Sequence, residues 1–151
     1  GYAAGPKPII KAMTSFQSHA ASNANSIAQY AAATAISCGD KYIRSMIEEY
    51  NARRRLMHRM VNDIDGMSCN LPKGAFYIMA SLKEIIGKSH KGRVIDGSTS
   101  FAEMLLDEKR VAVVPALAFG DDNYVRLSYA VSRQSIVEGM TRIRDFVNEL
   151  E

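Results

Sequence analysis

The sequence has little cysteine, and it lacks the cysteine spacing that binds zinc or exchanges disulfides. Cys38 and Cys69 are isolated, and the pattern Cys-x-x-Cys does not occur. This excludes the common zinc and thiol–disulfide motifs. A chain without a disulfide framework suits a reducing compartment, so we expect a cytoplasmic location.

Other absences exclude whole classes of function. No apolar run approaches the roughly 20 residues that cross a bilayer, so we expect no membrane partner. The 19 basic and 16 acidic side chains leave a net charge of +3, which is too balanced to indicate nucleic acid. The three histidines, His19, His58 and His90, share no ligand spacing, and we expect no metal site.

Two common enzyme motifs are also missing. Gly87-Lys88-Ser89 resembles the end of a phosphate-binding loop, but neither Leu82 nor Lys83 supplies the glycine that such a loop needs upstream. A serine nucleophile elbow of the form Gly-x-Ser-x-Gly does not occur. The sequence therefore indicates neither a nucleotide-binding loop nor an α/β-hydrolase.

The pattern of apolar residues predicts an α+β fold, with helices packed on one face of a small sheet. Capping boxes are predicted at Ser26-x-x-Gln29 and Ser100-x-x-Glu103, and residues 87–97 are predicted to form a surface loop. Helices are predicted at about 7–17, 26–37, 40–64 and 100–107 and from Ser132 onward. Strands are predicted at 67–70, 75–80, 110–114 and 124–129.

One cation lies in the middle of a predicted strand. Tyr124, Arg126 and Ser128 share one face of this strand, because successive side chains alternate between faces. An arginine in such a position either reaches water or binds an anion, and its fork of donors matches a carboxylate. The spacing by itself leaves both readings open.

Several segments resemble pyridoxal-phosphate aminotransferases of the aspartate aminotransferase type. Val111–Gly120 and Arg126–Ala130 resemble that family's Val-Ala-Val-Val-Pro-Gly-x-x-Phe-Gly segment and its Arg-Leu-Ser-Tyr/Phe-Ala strand. Three further segments match in the same order, so the resemblance covers nearly the whole chain: Gly1–Pro6, Ser22–Gln29 and Pro72–Tyr77. Ala24 and Ala116 depart mildly from the family's proline and glycine.

The resemblance implies a domain organisation. Residues 1–38 resemble the tail of the large cofactor-binding domain, and residues 39–151 resemble the small C-terminal domain of fold-type I pyridoxal-phosphate enzymes. In the family, the Schiff-base lysine and a phosphate-binding arginine immediately precede the segment that resembles Gly1–Pro6. We therefore expect a C-terminal fragment that is inactive alone and does not bind the cofactor covalently.

The resemblance also implies a function. The parent enzyme would transfer an amino group from an amino acid such as aspartate to 2-oxoglutarate, and Arg126 would bind the substrate α-carboxylate. The turn at Ser22 and Asn23 would lie near the active site of the neighbouring subunit in a homodimer. A polar turn before a helix is also ordinary capping chemistry.

Two alternatives stay open at the level of sequence. A β-lyase or another fold-type I enzyme would use Arg126 in the same way. A non-catalytic α+β module for ligand binding or dimerisation would need no upstream lysine at all.

Overall fold

The computed structural model describes residues 1–151 as two compact units, Gly1–Arg44 and Ser45–Glu151. The first unit contains helices α1 (Lys7–Ala21) and α2 (Ser26–Cys38), followed by a short 3₁₀ helix at Gly39–Tyr42. Neither helix contains a buried residue. Large apolar side chains of this unit are therefore exposed, among them Ile9, Met13, Phe16, Ile27 and Tyr30.

The second unit combines three helices, a three-stranded sheet and a small hairpin. Its helices are α3 (Arg44–Asn62, beginning at the unit boundary), α4 (Ser98–Lys109) and α5 (Arg133–Asn148). Its strands are β1 (Tyr77–Ser81), β2 (Ser89–His90), β3 (Arg93–Val94), β4 (Val114–Pro115) and β5 (Tyr124–Ser128). The α+β fold predicted from the sequence is confirmed.

The sheet has the antiparallel order β1-β5-β4, and β2 pairs with β3 in a separate hairpin. Strand β5 is central, with Met79 of β1 opposite Arg126 on one side and Val114 of β4 opposite it on the other. One face of this sheet is apolar and packs on the helices. The core includes Ile78, Val125 and Leu127 from the sheet and Val61, Phe101, Leu105, Ile136 and Phe146 from the three helices.

The predicted helices occur, and two of them start at other residues than predicted. The third helix was predicted from residue 40, but residues 39–42 form a 3₁₀ turn and the α-helix begins at Arg44. The fourth begins at Ser98, because the Ser100 hydroxyl accepts hydrogen bonds from the backbone N–H groups of Asp96 and Gly97. The capping box at Ser26 was wrong, since Asn25 caps α2 by accepting from the N–H groups of Ile27 and Ala28.

The strands are shorter than the sequence predicts. The predicted strand 67–70 is reduced to one isolated bridge between Ser68 and Ser81, and the strand 110–114 to β4. The predicted surface loop 87–97 contains the β2–β3 hairpin instead, with His90 and Ile95 buried.

None of the five α-helices is long and apolar enough to span a membrane.

Candidate functional site

Arg126 lies at the centre of the sheet, on the face opposite the helices. The alternation along β5 is visible in burial: Val125 and Leu127 are buried, while Arg126 is half-buried and Ser128 is exposed. The register places Tyr77, Met79 and Ser81 of β1 on the same open face. A guanidinium on this face can receive a ligand from outside the sheet.

Two aromatic rings flank the guanidinium. The Cζ atom of Arg126 lies 5.2 Å from the ring centroid of Tyr77 and 5.0 Å from that of Phe119. Both distances are within the range of cation–π attraction. Tyr77 belongs to β1, and Phe119 belongs to the 3₁₀ turn in the connection between β4 and β5.

The guanidinium of Arg126 makes no ion pair and no hydrogen bond within the chain. Other arginines do have carboxylate partners: Arg53 and Arg133 both contact Glu49, and Arg142 contacts Glu138. All five N–H donors of Arg126 are therefore free, and a planar fork of free donors matches a carboxylate.

The connection that carries Phe119 is tied to the start of α4. Ser98 is fully buried, and its hydroxyl donates to Asp122 Oδ1 at 2.6 Å while accepting from the Leu117 N–H at 3.3 Å. The Ser98 N–H donates to the same carboxylate oxygen at 2.9 Å. Leu117–Phe119 forms a 3₁₀ turn that ends at Gly120, whose φ is +92°.

A second carboxylate orders the same connection. Asp121 Oδ1 accepts hydrogen bonds from the backbone N–H of Asn123 at 3.0 Å and from its side-chain amide at 2.7 Å. These bonds to the ionised form lower the pKa of Asp121. Asp121 and Asp122 thus turn toward local donors, and neither carboxylate pairs with Arg126.

An open cleft of about 780 Å³ adjoins the sheet face that carries Arg126. It is lined by Tyr77, Met79, Ser81, Tyr124 and Lys83, among others, and the Lys83 Nζ lies 5.7 Å from the Tyr124 ring centroid. Cys69 also lines the cleft, where burial raises the pKa of its thiol. A thiol held in the protonated form is a poor nucleophile. Lys83 is the one cationic side chain among the residues that line the cleft.

The predicted cross-subunit residues belong to the first unit. Ser22 and Asn23 lie in the turn between α1 and α2, and both are exposed. Ser22 has a φ of 61°, and the Asn23 side chain accepts from the Gln29 amide at 3.4 Å. Gln29 also donates to the Ala24 carbonyl at 2.7 Å, which holds the turn against α2.

None of the lysines of this chain is buried. The cofactor needs a lysine that reacts as a free amine and a set of phosphate donors. Of the eight lysines, six are exposed, and of the two half-buried ones Lys109 pairs with Glu149 at 2.5 Å.

No group of three or more His, Cys, Asp or Glu side chains is arranged to hold a metal ion. His90 is buried next to Phe146, with ring centroids 5.3 Å apart, and its Nε2 lies 3.7 Å from a Glu108 oxygen. Its environment is that of a core histidine.

The sequence analysis singled out Arg126 but not the two rings beside it. Tyr77 could have been found, because strands 75–80 and 124–129 were both predicted and their pairing places Tyr77 diagonally from Arg126. The contact of Phe119 depends on how residues 116–123 fold back. The hydrogen bonds of Ser98 set that geometry. Ser98 lies far away in sequence, so no local pattern predicts the contact of Phe119 with Arg126.

Known proteins resemble this chain over nearly its whole length. Residues 1–143 match the family model described as aminotransferase class I and II. The aspartate aminotransferase of Streptomyces avermitilis is 42% identical over 149 residues, which are 99% of this chain and 36% of that protein. The probable aspartate/prephenate aminotransferase of Rickettsia prowazekii is 42% identical over 151 residues, covering 99% of this chain and 38% of that protein.

Solved structures give the same result. The chain superposes on the aspartate aminotransferase of Rhizobium meliloti with a TM-score of 0.96 and 38% identity, covering 100% of this chain and 38% of that one. It superposes on the aromatic aminotransferase of Pyrococcus horikoshii with a TM-score of 0.83 and 36% identity, covering 97% of this chain and 38% of that one. The chain thus spans well under half the length of these relatives, and it belongs to the class I and II aminotransferase family.

Proposed function

We propose that the protein containing this chain is a pyridoxal-phosphate-dependent aminotransferase that acts on an amino acid such as aspartate, with 2-oxoglutarate as amino acceptor. Family membership and the names of the curated relatives support this assignment. The cofactor, when bound, supplies an electron sink for the transfer of the amino group. The contribution of this chain concerns how the substrate is held.

The observation that carries the proposal is the free guanidinium of Arg126 on the open face of the sheet. We assign it to the α-carboxylate, the group that amino-acid donors and 2-oxo-acid acceptors share. Two parallel hydrogen bonds from the guanidinium would fix both the position and the rotation of that carboxylate. Fixing the carboxylate also orients the bonds at Cα, so that the reacting bond keeps one direction through catalysis.

The same proposal includes the organisation of the whole protein. Residues 1–38 would form the tail of the large cofactor-binding domain, and residues 39–151 the small C-terminal domain. The cofactor-binding lysine and the phosphate donors would come from outside this chain, which would be inactive by itself. The active form would be a homodimer, with Ser22 and Asn23 close to the neighbour's site, in the cytoplasm, where the two free cysteines would stay reduced.

Substitution of Arg126 tests the central claim in the complete enzyme. Arg126→Leu should lower kcat/KM for aspartate and for 2-oxoglutarate by at least about thirty-fold, because a buried charged hydrogen bond contributes roughly 2–5 kcal/mol. Arg126→Lys should be little more active than Arg126→Leu, since one ammonium group cannot form the two parallel hydrogen bonds of a guanidinium. Steady-state kinetics with each substrate varied in turn measures both effects.

A matched control separates the loss of this guanidinium from the loss of any positive charge. Arg144 is an exposed arginine of α5 without an ion pair, and Arg144→Leu should leave kcat/KM unchanged. The visible absorbance of the bound cofactor should persist in every variant. An Arg126→Leu enzyme with near-normal kcat/KM would refute the role of Arg126.

A second acceptor is suggested by the relatives named as probable aspartate/prephenate aminotransferases. Prephenate carries a 2-oxo acid group, so Arg126 would bind it in the same way as 2-oxoglutarate. Amino transfer from aspartate to each acceptor, measured side by side, decides between a strict and a dual acceptor preference. A β-lyase would instead act on an amino acid with a leaving group at Cβ and would release that group, ammonia and pyruvate without any 2-oxo-acid acceptor.

A further inference from the structure

Phe119 is an exposed aromatic residue whose ring lies beside one guanidinium. Its side chain is 56% exposed and takes no part in the hydrophobic core. Its ring nevertheless lies 5.0 Å from the Arg126 guanidinium. Exposure of a phenyl ring to water is unfavourable, and no packing role within this chain accounts for it.

Arg126 would be mobile without these rings. An arginine side chain loses much rotamer entropy when it is ordered, and this guanidinium has no hydrogen bond that would order it. Cation–π contacts restrain the guanidinium through the ring faces and use none of its N–H donors. An ion pair would also restrain it, but would occupy the donors that a carboxylate needs.

The position of Phe119 is itself fixed from a distance. The hydrogen bonds of Ser98 to Asp122 and Leu117 clamp both ends of the turn that carries Phe119. Tyr77 is fixed on the other side by its pairing with Ser128 in the sheet. Both rings are thus held by ordered backbone before any ligand arrives.

We propose that Phe119 and Tyr77 are positioning residues, which hold the Arg126 guanidinium in its carboxylate-binding geometry while leaving its donors free. This inference rests on the function proposed above and deepens it. Ordering the arginine in advance lowers the entropic cost of binding every substrate that carries an α-carboxylate. This restraint therefore changes the affinity for the substrate, and it changes it equally for the amino donor and the amino acceptor.

The first experiment measures the restraint directly on the 151-residue chain. Ring currents of the two rings should displace the NMR signal of the Arg126 Nε–H group, which is assigned by its loss in Arg126→Lys. Phe119→Leu should move this signal toward the position of a solvated arginine and increase its mobility. Leu117→Ala is the control, because Leu117 lies in the same turn and is 57% exposed. An unchanged Arg126 signal in Phe119→Leu overturns the inference.

The second experiment measures the consequence for binding in the complete enzyme. Phe119→Leu should raise KM for donor and acceptor alike by roughly two- to thirty-fold, the range that cation–π energies imply, with a smaller change in kcat. Phe119→Tyr should restore KM because it keeps the ring, and Leu117→Ala should leave KM unchanged. Tyr77→Leu should likewise raise KM for donor and acceptor. Tyr77→Phe should leave KM unchanged because it keeps the ring.

The outcomes separate this inference from the proposed function. If Arg126→Leu raises KM strongly and Phe119→Leu does not, the positioning role alone is overturned. It is also overturned if Phe119→Tyr is as impaired as Phe119→Leu. If Arg126→Leu leaves KM unchanged, the carboxylate role of Arg126 and this inference both fail.

Discussion

Two glycines of this fold differ in the space that their surroundings leave for a Cβ atom. Gly97 is buried at the start of α4, and a Cβ added there would overlap Asp122 Oδ2 and lie 2.8 Å from its Cγ. The carboxylate cannot withdraw freely, because its other oxygen accepts two hydrogen bonds from Ser98. Gly139, in the middle of α5, has no atom within 4 Å of the same added Cβ.

The same substitution should therefore have opposite effects at these two positions. We expect Gly97→Ala to lower the free energy of unfolding by about 2–4 kcal/mol through overpacking and lost hydrogen bonds. Gly139→Ala should raise it by about 0.5–1 kcal/mol, because alanine loses less backbone entropy in a helix. Urea unfolding followed by circular dichroism measures both. Equal effects of the two substitutions would contradict the packing at Gly97.

At the scale of elements, the sequence predicts what depends on local patterning. Alternation along residues 124–129 located β5 and placed Arg126 on one face with Tyr124 and Ser128, as the burial of β5 shows. The final helix begins as predicted, since Ser132 accepts a hydrogen bond from the Ser135 N–H. Both features depend on residues that are a few positions apart.

Other features were not predictable, either because two neighbouring residues suit the same position or because distant residues set the local structure. The sequence could not choose between Asn25 and Ser26 as the cap of α2, because both residue types suit that position. The β2–β3 hairpin was missed because its polar sequence looks like a loop. It is held by mutual backbone hydrogen bonds between Ser89 and Glu151 at the far end of the chain.

An ion pair between two helices gives a test at the element scale. Glu49 of α3 contacts Arg133 of α5 through two hydrogen bonds, of 2.5 and 3.1 Å, and contacts Arg53 of its own helix at 2.7 Å. The bond from Arg133 first, and then that from Arg53, lowers the pKa of Glu49 from 4.5 to about 2. The ionised carboxylate is thus favoured in the folded state.

This shift sets the pH at which the ion pair stabilises the fold. A depressed pKa contributes stability above pH 4.5, and that contribution is lost as the pH falls from 4.5 toward about 2. Glu49→Gln should therefore lower the urea midpoint at pH 7 and match the wild type near pH 2. Glu48→Gln is the control, since Glu48 is an exposed neighbour on α3 without an ion pair. A pH-independent difference for Glu49→Gln would argue against the shift.

At the scale of the whole molecule, burial is divided unevenly along the chain. Every buried side chain belongs to the unit Ser45–Glu151, and the helices of Gly1–Arg44 contain none. Short helices that bury no apolar face are marginally stable in water. The cooperative stability of this chain should therefore come from the second unit alone.

Removal of residues 1–44 tests this division. The chain Ser45–Glu151 should unfold in urea with the same midpoint and nearly the same m-value as the full chain, because m scales with the surface that unfolding exposes. Its helical circular dichroism should fall in proportion to the loss of α1 and α2. Removal of Arg133–Glu151 instead should abolish the transition, because α5 contributes Ile136, Met140, Ile143, Phe146 and Val147 to the core. A clear fall in midpoint or m-value for Ser45–Glu151 would show that the first 44 residues bury apolar surface in solution.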